Sequence, residues 1–189
     1  MNVWWFVYIM YIGKEGLEQV MTERLYTPWR LKYILSDEKK MDGCIFCTAL
    51  HDNPKRDPDK FLLYRADEVF AIMNIYPYNV GHVMVLPNQH VSTLTDLPRS
   101  AQCEMIGLTS YFVDLLTGIM NPDGFNVGMN IGKAAGAGID AHLHVHIVPR
   151  WHGDSNFMPI MGQTRILAEE LGDTFNKISA GIKQNPPIL

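Results

Sequence analysis

The chain has 189 residues, 47% of them hydrophobic and 19% charged, which is enough for one domain with a full core and sets extensive disorder aside. A formal net charge of −4 offers no basic face to a nucleic acid polymer, so an anionic ligand has to be held by a few local donors. Three cysteines cannot build a disulfide framework, and a reducing cytoplasm is the expected location.

Residues 1–12 are almost wholly apolar and include Trp4, Trp5 and Phe6. The run falls short of the roughly twenty apolar residues of a bilayer span, and it lacks the basic stretch and cleavage site of a secretory signal. No membrane partner is therefore expected. Met21 opens a more ordinary N-terminus, so residues 1–20 read as an extension and 21–189 as a single domain; a helix or strand packed on the domain is the alternative for the first segment. Thr27-Pro28-Trp29 places an N-cap ahead of proline at the first helical position and predicts a short helix to about Leu35. Cys44-Ile45-Phe46-Cys47 is a Cys-x-x-Cys knuckle, and the charged, proline-containing stretch 52–60 is a loop. Strand-like runs follow over 61–65, 69–74 and 82–87, joined by Ala66-Asp67-Glu68 and by residues 76–81.

Between 98 and 120 the apolar residues Met105, Leu108, Phe112, Leu115, Leu116 and Ile119 recur at helical spacing, and Asn121-Pro122-Asp123-Gly124 ends that helix. Cys103 falls within it and is expected in the core. Two more strands, 125–131 and 142–150, flank the glycine-rich run 132–140, and Leu167, Leu171, Phe175, Ile178 and Ile182 mark a C-terminal amphipathic helix. The order is not a repeating βαβ one. It predicts an α+β domain: a five-stranded antiparallel sheet with one long helix and a C-terminal helix.

His142-Leu143-His144-Val145-His146 carries the strongest chemical signal. Side chains alternate along a strand, so the three histidines share one face, with neighbouring Cα atoms roughly 6.6 Å apart and the outer two roughly 13 Å apart. Two neighbours can share a metal, but three on a straight strand cannot, so divided roles are expected. A neutral imidazole nitrogen suits attack at phosphorus, and a phosphoramidate intermediate splits one hard displacement into two easier ones. The small residues of Gly132-Lys133-Ala134-Ala135-Gly136-Ala137-Gly138, directly before the triad, let backbone N–H groups approach an anion.

The cysteine knuckle has three readings on its own. It is a redox pair without its usual βαβ setting, a chance pair of small buried residues, or half of a tetrahedral zinc site. Completion of a zinc site requires histidines, and His51, His90 and His142 are the candidates.

His142-Leu-His144-Val-His146-Ile-Val148, with Gly124-Phe-Asn-Val-Gly-Met-Asn-Ile-Gly132 before it and Pro149-Arg150-Trp151 after it, resembles the histidine-triad (HIT) superfamily, in the bacterial branch similar to diadenosine tetraphosphate phosphorylases. The resemblance runs from about Thr22 to Phe157 and implies the following roles. His144 is the nucleophile that takes a nucleotidyl group from the α-phosphate, His146 contacts the phosphates and leaving group, and His82 supports the nucleophile. Asn74 binds ribose hydroxyls, Asn130 contacts phosphate, and Ile75 and Phe70 flank the base. Where relatives often carry a side-chain donor shortly before the triad, this chain has Ala137-Gly138, which leaves backbone donors only. Related uridylyltransferases have glutamine at the third triad position, where this chain has His146. The resemblance also implies structural zinc on Cys44, Cys47, His90 and His142, and a homodimer.

Two local features add to these expectations. An open sheet leaves edges to be covered, and Ile106, Tyr111, Val113 and Met120 lie outside the main apolar stripe of the long helix, which favours a two-fold pairing. Trp151 leaves the histidine strand in a loop with aromatic, basic and amide groups. The resemblance to the bacterial phosphorylases implies that this segment borders the pocket and meets the distal part of a long substrate. The expected function is a nucleotidyl hydrolase or phosphorylase acting on dinucleoside polyphosphates or adenylylated compounds. The alternatives are a nucleotide-binding interaction protein with little turnover, a purine nucleoside phosphoramidase, and a metal-dependent hydrolase with zinc on two triad histidines.

Overall fold

The computed structural model describes residues 43–154 and 168–189. The expected N-terminal extension, the helix after Thr27, Leu167 and the end of the loop after Trp151 lie outside them. The described elements run α1 (Ile45–His51), β1 (Leu62–Arg65), β2 (Val69–Met73), β3 (Val83–Pro87), α2 (Arg99–Met120), β4 (Gly124–Met129), β5 (Val145–Arg150) and α3 (Leu171–Gln184). The strands form one sheet in the order β1-β2-β3-β5-β4, every pair antiparallel. The α+β architecture read from the sequence is the architecture observed.

The two faces of the sheet bury different chemistry. On one face Val69, Ala71, Met73, Val83, Val85, Val145 and Ile147 meet Met105, Leu108, Phe112, Leu115 and Leu116 of α2 and Phe175, Ile178 and Ile182 of α3. Each fully buried aliphatic or aromatic side chain there contributes about 1.5–3 kcal/mol by leaving water. On the opposite face Leu62, Phe70, Ile72, Met84 and Leu86 pack under Phe46 and Ala49 of α1. The continuous apolar runs of β2 and β3 follow from this, since every residue in both is buried.

α2 is long and apolar enough by length and composition to cross a membrane, and its buried stripe is spent on the sheet. It stops where expected: Asn121 adopts φ 48° and donates its N–H to the Thr117 carbonyl, and proline follows. Cys103, expected in the core, is instead exposed, because the helix turns that position away from the sheet. Of the four positions outside the main stripe, Ile106 remains 59% exposed, whereas Tyr111, Val113 and Met120 are partly buried against the core. The loop over 52–60 contains two short 3-10 turns, Pro54–Arg56 and Pro58–Lys60.

α1 was legible only as a cysteine knuckle, and Arg65 explains how it is held. The Arg65 guanidinium donates to the carbonyls of Leu50 and Ala49 at the end of α1, and pairs with both carboxylate oxygens of Asp57 at 2.9 and 2.6 Å. One side chain on β1 thus docks the short helix on the histidine face. Such a fork also suits Arg better than Lys, because it satisfies helix-end carbonyls and a carboxylate together.

Candidate functional site

β5 lies between β3 and the edge strand β4, so the one triad histidine within it, His146, is paired on both sides. The hydrogen-bonded strand starts at Val145, not at 142 as expected. Ahead of it the Leu143 N–H donates to the Val91 carbonyl at 2.6 Å, so this stretch pairs with the segment after β3 and leaves the sheet ladder. The alternation persists: Leu143 enters the helix-side core, while His142, His144 and His146 are buried on the other face.

Hydrogen bonds give the three histidines three different states. His142 Nε2 lies 2.9 Å from the Pro87 carbonyl oxygen, which only accepts, so Nε2 carries the proton and Nδ1 is bare. His144 is reversed: Nδ1 lies 2.8 Å from the His142 carbonyl oxygen, which places the proton on Nδ1 and the lone pair on Nε2. For His146 the assignment comes through His82. The Tyr78 backbone N–H donates to His82 Nδ1 at 3.0 Å, so the His82 proton is on Nε2, which donates to His146 Nδ1 at 3.0 Å. The His146 proton then sits on Nε2. Two adjacent rings, 4.7 Å apart and near perpendicular, therefore present a lone pair and an N–H. Burial holds the His142 and His144 imidazoles below the ordinary histidine value, against the opposing effect of their carbonyl partners. Both rings are thereby kept neutral.

At the other end of the run, Cys44 Sγ is 3.3 Å and Cys47 Sγ 3.5 Å from His142 Nδ1, and Cys47 Sγ is 3.2 Å from His90 Nδ1. The four ligand atoms all lie within 4.8 Å of one another. A tetrahedral zinc with bonds of about 2.0–2.3 Å separates its ligand atoms by roughly 3.3–3.8 Å, so the cluster fits with small adjustments. The Pro87 carbonyl supplies the outer hydrogen bond that orients a ligating imidazole. Without a cation, burial and then the hydrogen bond to Cys44 push the Cys47 thiol up to about 11, and a bound cation reverses that preference by favouring thiolates. His51, the third histidine considered for this site, ends α1 and is exposed outside the cluster.

The remaining expected residues divide. Asn74 accepts the Tyr76 N–H at 2.9 Å and places its amide nitrogen 3.4 Å from His82 Nδ1, at the edge of the histidine cluster. Register sets Gly128 against His146 and Met129 against Val145, where the pairing ends, so Asn130 follows directly after the last paired residue of β4. Ala137 and Gly138 lie in the loop before the triad, whose bends at Gly132 and Gly136 use φ values of 80° and 84° that favour glycine. The pair expected to flank the base separates: Ile75 is 48% exposed, but Phe70 has no exposed surface and packs edge-on against His142. The support expected from His82 for His144 is, in the described hydrogen bonds, a bond to His146. Trp151 donates Nε1–H to the Asn121 carbonyl at the end of α2. The six residues of β5, at about 3.3 Å each, lie between it and His144, so the structure does not bring it to the triad.

Two residues with no assigned role also meet the site. Phe46 packs on both His142 and His144, with ring centroids 5.6 Å from each. Tyr78 lies over His82 and His146, at 4.7 and 5.5 Å. The i+2 position inside the cysteine knuckle was a readable signal for Phe46, but nothing local marked Tyr78.

Comparison with known proteins agrees with this geometry. A family model described as HIT domain matches residues 55–153. The chain is 37% identical over 156 residues to a protein of Mycobacterium tuberculosis named AP-4-A phosphorylase, covering 80% of each. It is 33% identical over 116 residues to the adenylylsulfatase HINT3 of Arabidopsis thaliana, covering 60% of this chain and 55% of that one. Among solved structures, a zinc-bound histidine triad family protein from Mycobacterium smegmatis superposes with a TM-score of 0.60 at 26% identity, covering 75% of this chain and 94% of that one. On the match over residues 55–153 and the likeness to the mycobacterial phosphorylase, the chain belongs to the HIT domain family.

Proposed function

We propose that the protein is a nucleotidyl hydrolase or phosphorylase that acts on dinucleoside polyphosphates, or on related adenylylated compounds, through a nucleotidyl–His144 intermediate. The observation that carries this reading is the hydrogen-bond pattern that assigns a bare Nε2 to His144 and an N–H to the adjacent His146. His144 Nε2 attacks the α-phosphorus and the N–P bond forms as the P–O bond to the leaving phosphate breaks. The electron pair departs with that oxygen, so diadenosine tetraphosphate releases ATP. The positive charge gained by the His144 ring is supported by its Nδ1–H on the His142 carbonyl. His146 Nε2–H donates to a phosphate oxygen as charge develops there. Water as second acceptor then gives AMP, and orthophosphate gives ADP. The likeness to the mycobacterial phosphorylase favours orthophosphate as that acceptor, and the likeness to the plant adenylylsulfatase supports adenylylated substrates as the wider class.

On this reading Cys44, Cys47, His90 and His142 hold a structural zinc that fastens α1 to the triad. The partners are a nucleotide and a second copy of the chain, in the cytoplasm, with no role for a membrane or a nucleic acid polymer. Ile106 on α2, 59% exposed, and Val127 and Ile131 on and just after the edge strand β4, 49% and 47% exposed, support the dimer. Sedimentation is expected to give twice the chain mass at micromolar concentration, and a monomer there removes that part of the reading. The function is tested by incubation with diadenosine tetraphosphate, with and without orthophosphate, and identification of the products. ATP with ADP establishes phosphorolysis and ATP with AMP establishes hydrolysis. Binding without either product supports the interaction-protein alternative instead.

A further inference from the structure

His146 can present an N–H only if its Nδ1 is kept as an acceptor, and the two neutral tautomers of a free imidazole are close in energy. Selection therefore has to come from outside the triad, and the chain of bonds leads to residues 74–82. The Tyr78 N–H meets His82 Nδ1 at 3.0 Å, closer than the Asn74 amide at 3.4 Å. The Tyr78 ring covers His82 at 4.7 Å and 39°, and His146 at 5.5 Å and 33°. The next residue anchors the loop: Asn79 Nδ2 donates to the Pro149 carbonyl at 3.1 Å and to Asp154 at 2.8 Å. Asp154 is itself gripped by Arg150 at 2.6 and 2.8 Å. The loop ends at Gly81, with φ 75°, where an added Cβ would stand 2.7 Å from Met120 Sδ and 3.2 Å from Pro149 Cγ. A stiff loop thus aims one backbone donor and one aromatic face at the His82–His146 pair.

We propose that Tyr78 is a positioning residue, which holds His82, and through it His146, in the tautomer that offers Nε2–H beside the nucleophile. The inference rests on the reading of His144 as that nucleophile. The Tyr78 N–H excludes the proton from His82 Nδ1, and the ring blocks rotation of both imidazoles. With the wrong tautomer His146 would turn a lone pair toward a phosphate oxygen, and the donor would be lost.

The test uses the full, metal-loaded chain and three variants: Tyr78→Phe, Tyr78→Leu and Tyr78→Pro, the last deleting the N–H. Long-range 1H–15N correlation of the ring nitrogens reads the tautomers, and steady-state kinetics on diadenosine tetraphosphate reads kcat and KM. The wild type is expected to show His82 and His146 as Nε2–H. Tyr78→Phe keeps that signature and stays within about twofold in kcat. Tyr78→Leu and Tyr78→Pro mix the tautomers at His146 and lower kcat by roughly tenfold or more with little change in KM, as expected for a weakened transition-state donor. Leu and Pro variants with wild-type tautomers overturn the proposal, whatever their melting temperatures. A Phe variant as impaired as Leu also overturns it. A wild type that shows the expected tautomers but no turnover defeats the proposed reaction and leaves the tautomer arm to decide the role of Tyr78.

Discussion

His142 and His146 lie four residues apart on one face of the sheet, yet their surroundings give them opposite uses. The His142 ring is engaged at both nitrogens, with Nε2–H on the Pro87 carbonyl and Nδ1 toward two cysteines. His146 meets another imidazole through Nδ1, which leaves its proton on Nε2, on a ring 4.7 Å from that of His144. His144 stands between them and takes its orientation from the backbone of the first. The comparison teaches that a repeated residue type on a strand is divided into roles by what meets each ring from other elements. α1 meets one end of the run and the loop around Tyr78 meets the other.

The sharpest way to break this division is to remove the middle residue. His144→Ala is expected to lower kcat by about 10⁴-fold or more, the upper range of positioned acid–base assistance, while nucleotide affinity measured by calorimetry stays close to wild type. A variant that keeps more than about a hundredth of the wild-type rate would remove the covalent role.

Phe46→Ala attacks the metal end from beneath. Its ring contacts both His142 and His144, and the side chain is almost fully buried. A loss of about 3–5 kcal/mol in denaturant unfolding is expected. A cost below about 1 kcal/mol would show that α1 does not hold the run in place.

Cys44→Ser separates metal from chemistry. Elemental analysis of protein purified without added metal is expected to find about one zinc per wild-type chain and markedly less in the variant. The melting temperature should fall by roughly 2–4 °C for each kcal/mol of lost stability, with some turnover surviving. Complete loss of turnover on chelation, reversed at once by zinc, would move the metal into the chemistry.

The smallest effect concerns the opposite end. Gly81→Ala places a Cβ on a left-handed residue, at a cost of about 1–2 kcal/mol before the Met120 contact is counted. Calorimetric unfolding checks the cost. A neutral substitution would mean that the loop before His82 adapts more easily than its anchors suggest.

Much of the fold was legible because its signals are local and periodic. The stripe Met105, Leu108, Phe112, Leu115 and Leu116 is buried as its spacing required, and Asn121 ends the helix as its turn chemistry required. The boundary at Val145 was not legible, since it depends on Leu143 bonding to Val91, far away in sequence. Phe70 shows the same limit. Its apolar character suited both a base pocket and a core, and only the docking of α1 over that face decided for the core. Cys103 was misjudged because composition favours burial for cysteine, whereas the helix phase relative to the sheet turns it outward.

By itself, the sequence determined the alternation that puts three histidines on one face, the knuckle spacing that brings two thiols together, and the apolar periods that build the sheet and helices. These follow from covalent geometry and from the periods of strand and helix, which need no distant partner. The tertiary structure decided which nitrogen of each ring carries its proton, because the Pro87 carbonyl, the His142 carbonyl and the Tyr78 N–H arrive from separate turns of the chain. An imidazole has no strong intrinsic preference between its two nitrogens, so its nearest hydrogen-bonding neighbour determines the choice.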